Sequence, residues 1–283
     1  MLICTSIKQL QHALASFRLA HHSVALVPTM GNLHEGHLQL VRSAKKHADA
    51  VLVTIFVNPT QFGANEDLDN YPRTLADDTH KLDEVNADIL FTPSVEDIYP
   101  QGGTHSTSVH VPQLTNLLCG AARPGHFDGV TTIVNKLFNM TQADVAIFGE
   151  KDFQQLAVIR RMVTDLNMPI SIIGEPIVRE TDGLAMSSRN GYLTALERDK
   201  APLLYQTLMS VKAHLLEGRS DYNAVEATAK EQLIDNGFKP DYISIVDHES
   251  LAPPANDSSR LVVLVAARLG TTRLIDNLVI NNA

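Results

Sequence analysis

The chain has 283 residues, of which 44% are hydrophobic and 19% are charged, a balance typical of globular proteins. The composition excludes a mainly disordered chain, and 15 glycines and 13 prolines are too few for a fibrous one. The formal net charge is −9, and neither half of the chain has an excess of basic residues. We therefore expect no nucleic acid among its partners, because non-specific binding requires many cations to neutralise phosphates.

The two cysteines and the first residues of the chain indicate the cellular compartment in which the protein is expected. Cys4 and Cys119 are too few for a disulfide framework and too far apart in sequence for a paired zinc motif. The opening segment MLICTSIKQLQHALASF lacks the cationic start and apolar run of a secretory signal. No stretch approaches the roughly 18 uninterrupted apolar residues of a membrane span. We expect reduced thiols, no membrane contact and a cytoplasmic location.

Residues 1–176 alternate short apolar runs with amphipathic segments. The runs at 24–28, 50–57, 88–92, 144–148 and 170–173 predict five strands. Apolar residues at helical spacing after the first run, and on both sides of the fourth, predict helices between the strands. Strands that are apolar on both faces and alternate with helices are typical of a parallel sheet with both faces covered. We predict an α/β fold with a doubly wound parallel sheet, which binds ligands beyond the carboxyl ends of its strands.

Residues 177–283 have a different pattern. Segments 195–217 and 222–236 have helical spacing, and strand-like runs follow at 242–246, 261–267 and 273–275. Helices followed by strands predict a smaller C-terminal α+β domain, so we place the domain boundary between residues 176 and 177. In the first part, the polar and turn-rich stretch 58–72 is long for a simple connection and predicts a functional loop.

The first strand is followed by PTMGNLHEGH at residues 28–37. His34 and His37 are three residues apart, so both rings can point to one side near the start of a helix. Gly36 removes a side chain where the backbone could approach a ligand. The unpaired N–H groups of a helix start favour anionic oxygen. Together these features predict a phosphate site with two imidazole donors.

Three other interpretations of the histidine motif must be compared with the phosphate site. They are a structural role, a zinc site and a P-loop. The histidines could be structural, since two neighbouring histidines also occur by chance. A zinc site of the metalloprotease type needs histidines four apart and a third ligand, which this motif lacks. Gly31 and Gly36 have the spacing of a P-loop. However, His37 and Leu38 stand where that loop requires lysine and a hydroxyl residue, and this excludes a P-loop.

The segment FGEKDFQQ, at residues 148–155, lies at the carboxyl end of the fourth predicted strand. Lys151 offers a cation for phosphate, and Asp152 can accept a hydrogen bond from a ribose hydroxyl. Gln155 opens the next predicted helix and faces the same crevice. Taken alone, this segment would be interpreted as an exposed turn with a Lys–Asp pair, so its significance depends on the other motifs.

The segment GLAMSSRN, at residues 183–190, lies where the two halves of the chain join. Two hydroxyls, of Ser187 and Ser188, stand beside the guanidinium of Arg189, and such a set can bind the outer phosphates of a nucleotide. An isolated Ser-Ser-Arg is usually a solvated loop. This segment therefore supports a nucleotide site only in combination with the histidine motif.

Two smaller clusters supply groups for an anionic or hydroxylated partner. Arg123 and His126, in RPGHFDG, offer cations, and Gln61, in NPTQF, offers an amide for hydroxyl or carboxylate groups. Asp77 and Asp78 could contact magnesium. Adjacent acids at a helix start more often compensate the helix dipole, so the metal role remains one of two interpretations.

The histidine motif and the later Met186–Arg189 segment resemble the HxGH and KMSKS pair of the nucleotidyltransferase superfamily. The phrases PTMGNLHEGH, FVNPTQF, YPRT, RPGHFDG, FGEKDFQQ and MSSRN, in this order from residue 28 to residue 190, resemble the pantothenate synthetase (pantoate–β-alanine ligase) family. Arg189 replaces the second lysine of KMSKS, and this family shares that form. The terminal third of the chain contributes no comparable motif.

The resemblance implies a Rossmann-like domain that binds ATP and Mg²⁺, covered by the smaller C-terminal domain, in a protein that forms homodimers. The family condenses (R)-pantoate with β-alanine to pantothenate through a pantoyl adenylate, releasing AMP and pyrophosphate. Two alternatives come from other functional classes. One is an adenylyl- or cytidylyltransferase that leaves the nucleotide on its product, and the other is a non-catalytic nucleotide sensor.

The resemblance also implies roles for individual residues. His37 matches the catalytic acid of the family, and His34, Lys151 and Arg189 are expected to act with it on the phosphates. The other residues implied at the ATP site are Met30, Gly31, Gly36, Gly149, Glu150, Asp152, Val178, Met186, Ser187 and Ser188. Substrate contacts are expected from Gln61, Gln155, Thr29, Arg123 and His126, and metal contacts from Asp77 and Asp78.

Overall fold

The structure is a computed structural model that describes residues 1–64, 66–218, 220–255 and 258–281, without the side chain of Thr104. The described residues form a six-stranded parallel sheet flanked by helices, followed by a three-stranded antiparallel sheet with helices of its own. This arrangement confirms the predicted fold class. None of the helices formed by the described residues has the length and apolarity that crossing a membrane would require.

The parallel sheet has the strand order β1-β4-β3-β2-β5-β6. Its elements, in chain order, are β1 (Leu2–Cys4), α1 (Ile7–Leu19), β2 (Val24–Thr29), α2 (Glu35–Ala44), β3 (Ala50–Ile55), α3 (Leu75–Glu84), β4 (Ile89–Phe91), α4 (Val95–Ile98), α5 (Leu118–Ala122), α6 (His126–Thr141), β5 (Val145–Gly149), α7 (Phe153–Asp165) and β6 (Ser171–Glu175). All of its strand pairs are parallel. From β2 the chain passes to β3 and β4 on one side and then crosses to β5 and β6 on the other, so the order of the strands reverses between β2 and β5. The carboxyl ends of these two strands border the crevice where such folds bind ligands.

The second sheet has the strand order β7-β8-β9 and is antiparallel. Its part of the chain contains α8 (Ala195–Lys200), α9 (Leu203–Leu216), α10 (Tyr222–Asp235), β7 (Phe238–Asp247), β8 (Arg260–Leu269) and β9 (Thr272–Asn281). The predicted helix over 195–217 is two helices, because Pro202 at the start of α9 lacks the N–H that a continuous helix would need. The three predicted strands are present and longer than expected, since their polar ends also pair.

Apolar side chains cover both faces of the parallel sheet. One face packs on α1, α6 and α7 around Leu26, Leu52 and Phe138, and the other packs on α2 and α3 around Val41 and Leu82. Strand β3 is buried over most of its length, as its unbroken apolar sequence predicts. Strand β1 was not predicted, because its three residues are too few for a periodic pattern and two of them are exposed.

A separate core joins α9 and α10 to the antiparallel sheet, with Leu204, Leu208 and Val263 among its buried members. The two parts of the molecule also share an apolar contact, in which Phe153 at the start of α7 packs with Val262 and Leu264 of β8. The antiparallel sheet therefore packs beside the carboxyl end of β5.

Candidate active site

A crevice of about 240 Å³ lies beyond the carboxyl ends of β2, β3 and β5. Most of the predicted site residues line it. They are Thr29, Met30, His34, Gly36, His37, Gln61, Arg123, His126, Gly149, Lys151, Asp152, Gln155, Val178, Met186, Ser187, Ser188 and Arg189. Segments separated by more than 150 residues in sequence thus meet at one edge of the sheet, as a doubly wound topology requires.

His34 and His37 stand together at the start of α2. Their ring centroids are 4.0 Å apart, and the backbone N–H of His34 donates to Nδ1 of His37 over 3.4 Å. A Cβ on Gly36 would lie 2.9 Å from Cε1 of His34, so a larger residue at this position would displace the ring. The glycine between the histidines therefore serves their close packing as well as the approach of a ligand.

Both imidazoles are neutral at pH 7. Burial, followed by the charge of Lys151, lowers the pKa of His34 to about 4. Burial and the neighbouring His34 ring lower the pKa of His37 well below 6.5. Because Nδ1 of His37 accepts a hydrogen bond, the proton of the neutral ring is on Nε2, which is available as a donor.

Asp78 anchors the loop between β2 and α2. Its side chain is fully buried, with Oδ1 accepting from the N–H of Leu33 at 2.7 Å and Oδ2 from that of Asn32 at 2.9 Å. Thr74 also donates to Oδ2 over 3.2 Å. These bonds orient the loop that carries the histidines. The acid therefore has a structural role that the motif did not reveal.

This geometry corrects the expectation that Asp77 and Asp78 bind magnesium. Asp78 is committed to the loop, and Asp77 is exposed on α3, outside the lining of the crevice. Across the described residues, no group of three or more His, Cys, Asp or Glu side chains is arranged to hold a metal ion. A metal ion in this crevice would need ligands other than Asp77 and Asp78.

Two residues expected at the ATP site also lie behind the lining. Gly31 is buried with φ of +84°, and a Cβ there would lie 3.0 Å from Ile55 and 3.2 Å from Asp78. A left-handed backbone with little space beside it explains this glycine without a ligand. Glu150 stands in the turn after β5, where its carbonyl accepts a hydrogen bond from Asn277. Both residues support the crevice from outside it.

Lys151 and Asp152 form the turn that follows β5, in a 3-10 helix over Glu150–Asp152. The Lys151 side chain is 19% exposed, and its Nζ lies 3.4 Å from Oδ2 of Asp152. Among the described residues that line the crevice, Asp152 supplies the one carboxylate. The turn thus brings a mostly buried ammonium group to the crevice, where its charge acts on both His34 and His37.

The Met186–Arg189 segment closes another side of the crevice. Ser188 Oγ donates to the carbonyl of Asn32 over 3.0 Å, which joins this segment to the histidine loop. The guanidinium of Arg189 forms a two-point pair with Asp67, at 3.0 and 2.9 Å. The predicted phosphate cation is therefore already neutralised by an acid of the loop over 58–72.

A second arginine is paired in the same way. Arg123 donates from Nε to Glu66 at 2.6 Å and from Nη2 at 2.5 Å. Although burial opposes it, this pairing lowers the pKa of Glu66 to about 2. Sequence reasoning missed Glu66 and Asp67 as site residues. The sequence did contain a signal for them, because two adjacent acids lie in a long loop that was expected to be functional. The two arginines expected in the crevice would need acidic partners.

His126 and Gln61 line another side of the crevice. Nδ1 of His126 donates to the carbonyl of Gln61 at 2.8 Å, and Nε2 accepts from Arg123 at 3.0 Å. Burial, followed by the Arg123 charge, lowers the pKa of His126 to about 4, so it is not the cation expected from the sequence. Asn58 is buried, and its amide donates to Oε1 of Gln61 over 3.1 Å. Asn58 thus orients the glutamine amide.

The floor of the crevice is apolar. It is formed by Phe56, Val130, Ile133, Val134, Leu137 and Phe148. An apolar lining with a few polar groups is typical of small-molecule binding sites. The lining of the crevice therefore combines apolar and amide groups with imidazole, ammonium, hydroxyl and guanidinium groups.

Comparison with known proteins agrees with this geometry. A family model described as pantoate–β-alanine ligase matches residues 2–279. Proteins named pantothenate synthetase from Marinobacter nauticus and Pseudomonas putida are 54% and 56% identical over 273 residues, covering 96% of this chain and 97% and 95% of theirs. The family resemblance of the motifs is confirmed.

Solved structures are similar over the whole chain. Pantothenate synthetase from Thermus thermophilus has a TM-score of 0.92 at 44% identity, covering 98% of this chain and 99% of that one. The pantoate–β-alanine ligase of Francisella tularensis, complexed with an ATP compound and β-alanine, has a TM-score of 0.81 at 34% identity, covering 98% and 97%. Motifs, fold and whole-length similarity agree, and the chain belongs to the pantoate–β-alanine ligase family.

Proposed function

We propose that the chain condenses (R)-pantoate with β-alanine to pantothenate at the expense of ATP, through a pantoyl adenylate, and releases AMP and pyrophosphate. The observation that carries this proposal is the meeting of His34, His37, Lys151 and Arg189 around one crevice in a member of this ligase family. The Francisella relative, whose structure holds an ATP compound and β-alanine, supports the assignment of both substrates.

The triphosphate is assigned to the side of the crevice that carries the histidines. Lys151, His34 and His37 contact the α- and β-phosphates, and the Met186–Arg189 segment contacts the pyrophosphate end. The adenine lies beside Val178, and Asp152 accepts from the ribose. Because both imidazoles are neutral donors, Lys151 supplies the full positive charge on the side of the reacting phosphorus.

Pantoate is assigned to the other side. Gln61 and Gln155 hold its hydroxyl and carboxylate groups, and its methyl groups lie on the apolar floor of the crevice. Its carboxylate is ionised at neutral pH and attacks the α-phosphorus without a general base, and the bond from that phosphorus to the bridging oxygen breaks, so that pyrophosphate leaves. Catalysis then consists mainly of aligning two anions and of stabilising the charge that develops on the phosphate.

The second half-reaction forms the amide. The deprotonated amine of β-alanine attacks the acyl carbon of the adenylate, and the bond to the AMP oxygen breaks, so that AMP leaves. Water would destroy the adenylate, and exclusion of water is a common function of mobile covers. We assign this function to the loop over 58–72 and to residues 177–283, with the domain boundary after residue 176.

The arginine pairs give this loop a further property. Arg123 and Arg189 are bound by Glu66 and Asp67 of the loop. A triphosphate that takes Arg189 must therefore replace Asp67 as its partner, and the loop must rearrange when ATP binds. Thr29, Arg123 and His126 remain assigned to the substrate side, where Arg123 holds the neutral His126 ring in place.

Magnesium accompanies ATP in our proposal. Mg²⁺ is usually held by phosphate oxygens, waters and one or two carboxylates, and the crevice provides one carboxylate in its described lining, that of Asp152. Because Asp152 is assigned to the ribose, phosphate oxygens and waters would supply the ligands of the ion. The ion, when bound, neutralises charge on the phosphates.

We further propose a homodimer that works in the cytoplasm. The dimer follows from the family resemblance and is tested by light scattering of the purified protein. The location is supported by the two free thiols, of Cys4 and Cys119, which suit a reducing compartment that also supplies ATP. Fractionation of the source cells tests it.

The experiment that tests the function is incubation with ATP, pantoate and β-alanine, each omitted in turn. The ligase is expected to release AMP and form an amide only when all three are present. A stable adenylylated product without amide would indicate a nucleotidyltransferase instead. The absence of any pyrophosphate would indicate a nucleotide sensor.

A further inference from the structure

Strand β9 of the antiparallel sheet reaches the turn that carries Lys151. Asn277 is 4% exposed, and its Nδ2 donates to the carbonyl of Glu150 at 2.8 Å and to that of Lys151 at 2.9 Å. The two N–H bonds of one amide thus serve two consecutive carbonyls of the turn. Since the turn lies in the parallel-sheet part of the chain, this contact crosses between the two sheets.

The preceding residue of β9 holds the other phosphate-binding segment. Asp276 is 3% exposed and forms a two-point pair with Arg179, at 2.7 and 2.9 Å. Arg179 also donates to the carbonyl of Gly183 over 3.0 Å and stacks on the ring of Tyr205 at 3.8 Å. Its backbone pairs with that of Ala185. Asp276 therefore anchors the hairpin that leads into the Met186–Arg189 segment.

Two adjacent residues of one strand consequently hold two segments that are distant in sequence. Strand β9 is paired with β8 along its whole length, so it is a stiff support for both. We propose that Asn277 is a positioning residue for ATP activation, which holds the Lys151 turn against the Met186–Arg189 segment that the Asp276–Arg179 pair anchors to the same strand. This inference rests on the proposed function, because it assigns a triphosphate to the space between these segments.

The physical reason is the precision that phosphoryl transfer requires. Lys151 and the Ser187–Arg189 group must contact neighbouring phosphates, and a misplacement of about 1 Å can reduce the rate about 100-fold. Without Asn277, the carbonyls of Glu150 and Lys151 lose these donors, and the turn can move to find others. Asn277 is not itself a lining residue and contacts the lining at the carbonyl of Lys151, so we expect its effect to pass through the Lys151 turn.

The test compares Asn277→Asp and Asn277→Ala with wild type. Asn277→Asp keeps the shape of the side chain but turns an acceptor toward the two carbonyls, whereas Asn277→Ala leaves space for water to donate. We expect kcat/KM for ATP to fall about 10- to 100-fold in Asn277→Asp and less in Asn277→Ala. A packing role predicts the opposite order, because alanine removes more contacts than aspartate does.

Pantoate provides the internal comparison. Its KM is expected to stay within about twofold of wild type, since Gln61 lies on a separate element, the 3-10 helix Pro59–Gln61. The matched control is Tyr242→Phe. It removes another contact between the two sheets, in which the tyrosine hydroxyl lies 2.9 Å from Cys119 Sγ, but leaves the turn untouched. Wild-type kinetics for ATP in this control support the inference, and an equal loss overturns it.

A double-mutant cycle with Lys151→Ala decides whether Asn277 acts through the lysine. In the Lys151→Ala background, Asn277→Ala should change ATP affinity, measured by calorimetry, by less than about threefold. Additive losses would overturn the inference, as would a common rise in the KM for ATP and pantoate. If wild type binds ATP but makes no amide, the proposed function fails, whereas the calorimetric cycle still tests Asn277.

Discussion

At the residue scale, the crevice contains three histidines whose surroundings keep them neutral at pH 7. Burial is the first cause for His34, His37 and His126, and neighbouring positive groups add to it. Neutral rings donate hydrogen bonds without adding charge. They can therefore bind phosphate oxygens next to Lys151 without repelling the ammonium group, which two imidazolium ions would do.

Replacement of His37 tests its role in adenylate formation. We expect His37→Ala to lower the rate of pyrophosphate release in the presence of ATP and pantoate by about 10²- to 10³-fold, because one donor to the developing charge is lost. Rapid-quench kinetics without β-alanine measure this step alone. The exposed His47 provides a control, and His47→Ala should behave as wild type. A near-normal rate in His37→Ala would remove the residue from the mechanism.

The lowered pKa of His126 makes a prediction about stability and pH. Its pKa is about 4 in the folded protein and near 6.5 when unfolded, so between these values the unfolded chain binds more protons. The stabilisation that comes from the neutral His126 is therefore fully present above pH 6.5 and is lost as the pH falls toward 4. Between pH 7 and pH 5 we expect His126 to account for a loss of about 1–2 kcal/mol.

Urea unfolding of wild type and His126→Gln at pH 7 and pH 5 measures this contribution. The glutamine amide can still donate to Gln61 and accept from Arg123, but it does not titrate. The variant should consequently lose less free energy of unfolding on acidification than wild type does. An identical loss in the two proteins would mean that His126 is not held neutral by the fold.

At the element scale, the start of α6 packs directly on the 3-10 helix Pro59–Gln61. A Cβ on Gly129 would lie 2.4 Å from the carbonyl oxygen of Thr60 and 2.7 Å from Cα of Gln61. The carbonyl of Gly129 also accepts from Asn58 over 3.1 Å. The glycine thus sets the distance between the helix and the turn that carries the glutamine amide.

Gly129→Ala is expected to push this turn away from α6. We expect a loss of about 1–3 kcal/mol in the free energy of unfolding, since backbone atoms of Thr60 must shift. Pantoate binding should weaken more than ATP binding, because Gln61 moves and the phosphate side does not. Calorimetric titration with each ligand measures both effects. Gly191→Ala, at a site with open space, should change neither, and equal weakening in Gly129→Ala would contradict the assignment of Gln61.

At the scale of the whole molecule, the two sheets are joined beside the crevice. Phe153 follows the Lys151 turn immediately and packs with Val246, Leu251, Val262 and Leu264. Its ring also meets that of His248 edge-on, at a centroid distance of 5.1 Å. This apolar contact and the Asn277 bonds lie at the same end of the interface. Together they hold the C-terminal part against the Lys151 turn.

Phe153→Ala should therefore uncouple the two parts. We expect a loss of about 3–5 kcal/mol, as for other buried aromatic side chains replaced by alanine. Calorimetric unfolding of wild type should give one transition, whereas the variant should give two, because each part keeps its own core. A single transition at a lower temperature in the variant would mean that other contacts suffice for cooperation between the sheets.

Local periodicity predicted most of the fold. Strands β2, β3, β4 and β5 are apolar on both faces, and the helices between them carry apolar stripes, so their order implied a parallel sheet. Strand β1 escaped prediction because a three-residue edge strand has no period. The break between α8 and α9 was missed because the apolar pattern continues through Pro202.

The sequence by itself determined the chemical groups of the crevice. The HxGH motif, the Lys151 turn and the Met186–Arg189 segment could each be recognised from residues that are adjacent in sequence. Only the tertiary structure decided what those groups touch. Arg189 pairs with Asp67 across 122 positions, Lys151 is supported by Asn277 across 126, and Asp78 binds a loop 45 residues before it. The order of the strands and the packing of the two sheets bring such partners together. Because the partners are far apart in sequence, the local spacing of apolar residues does not predict them.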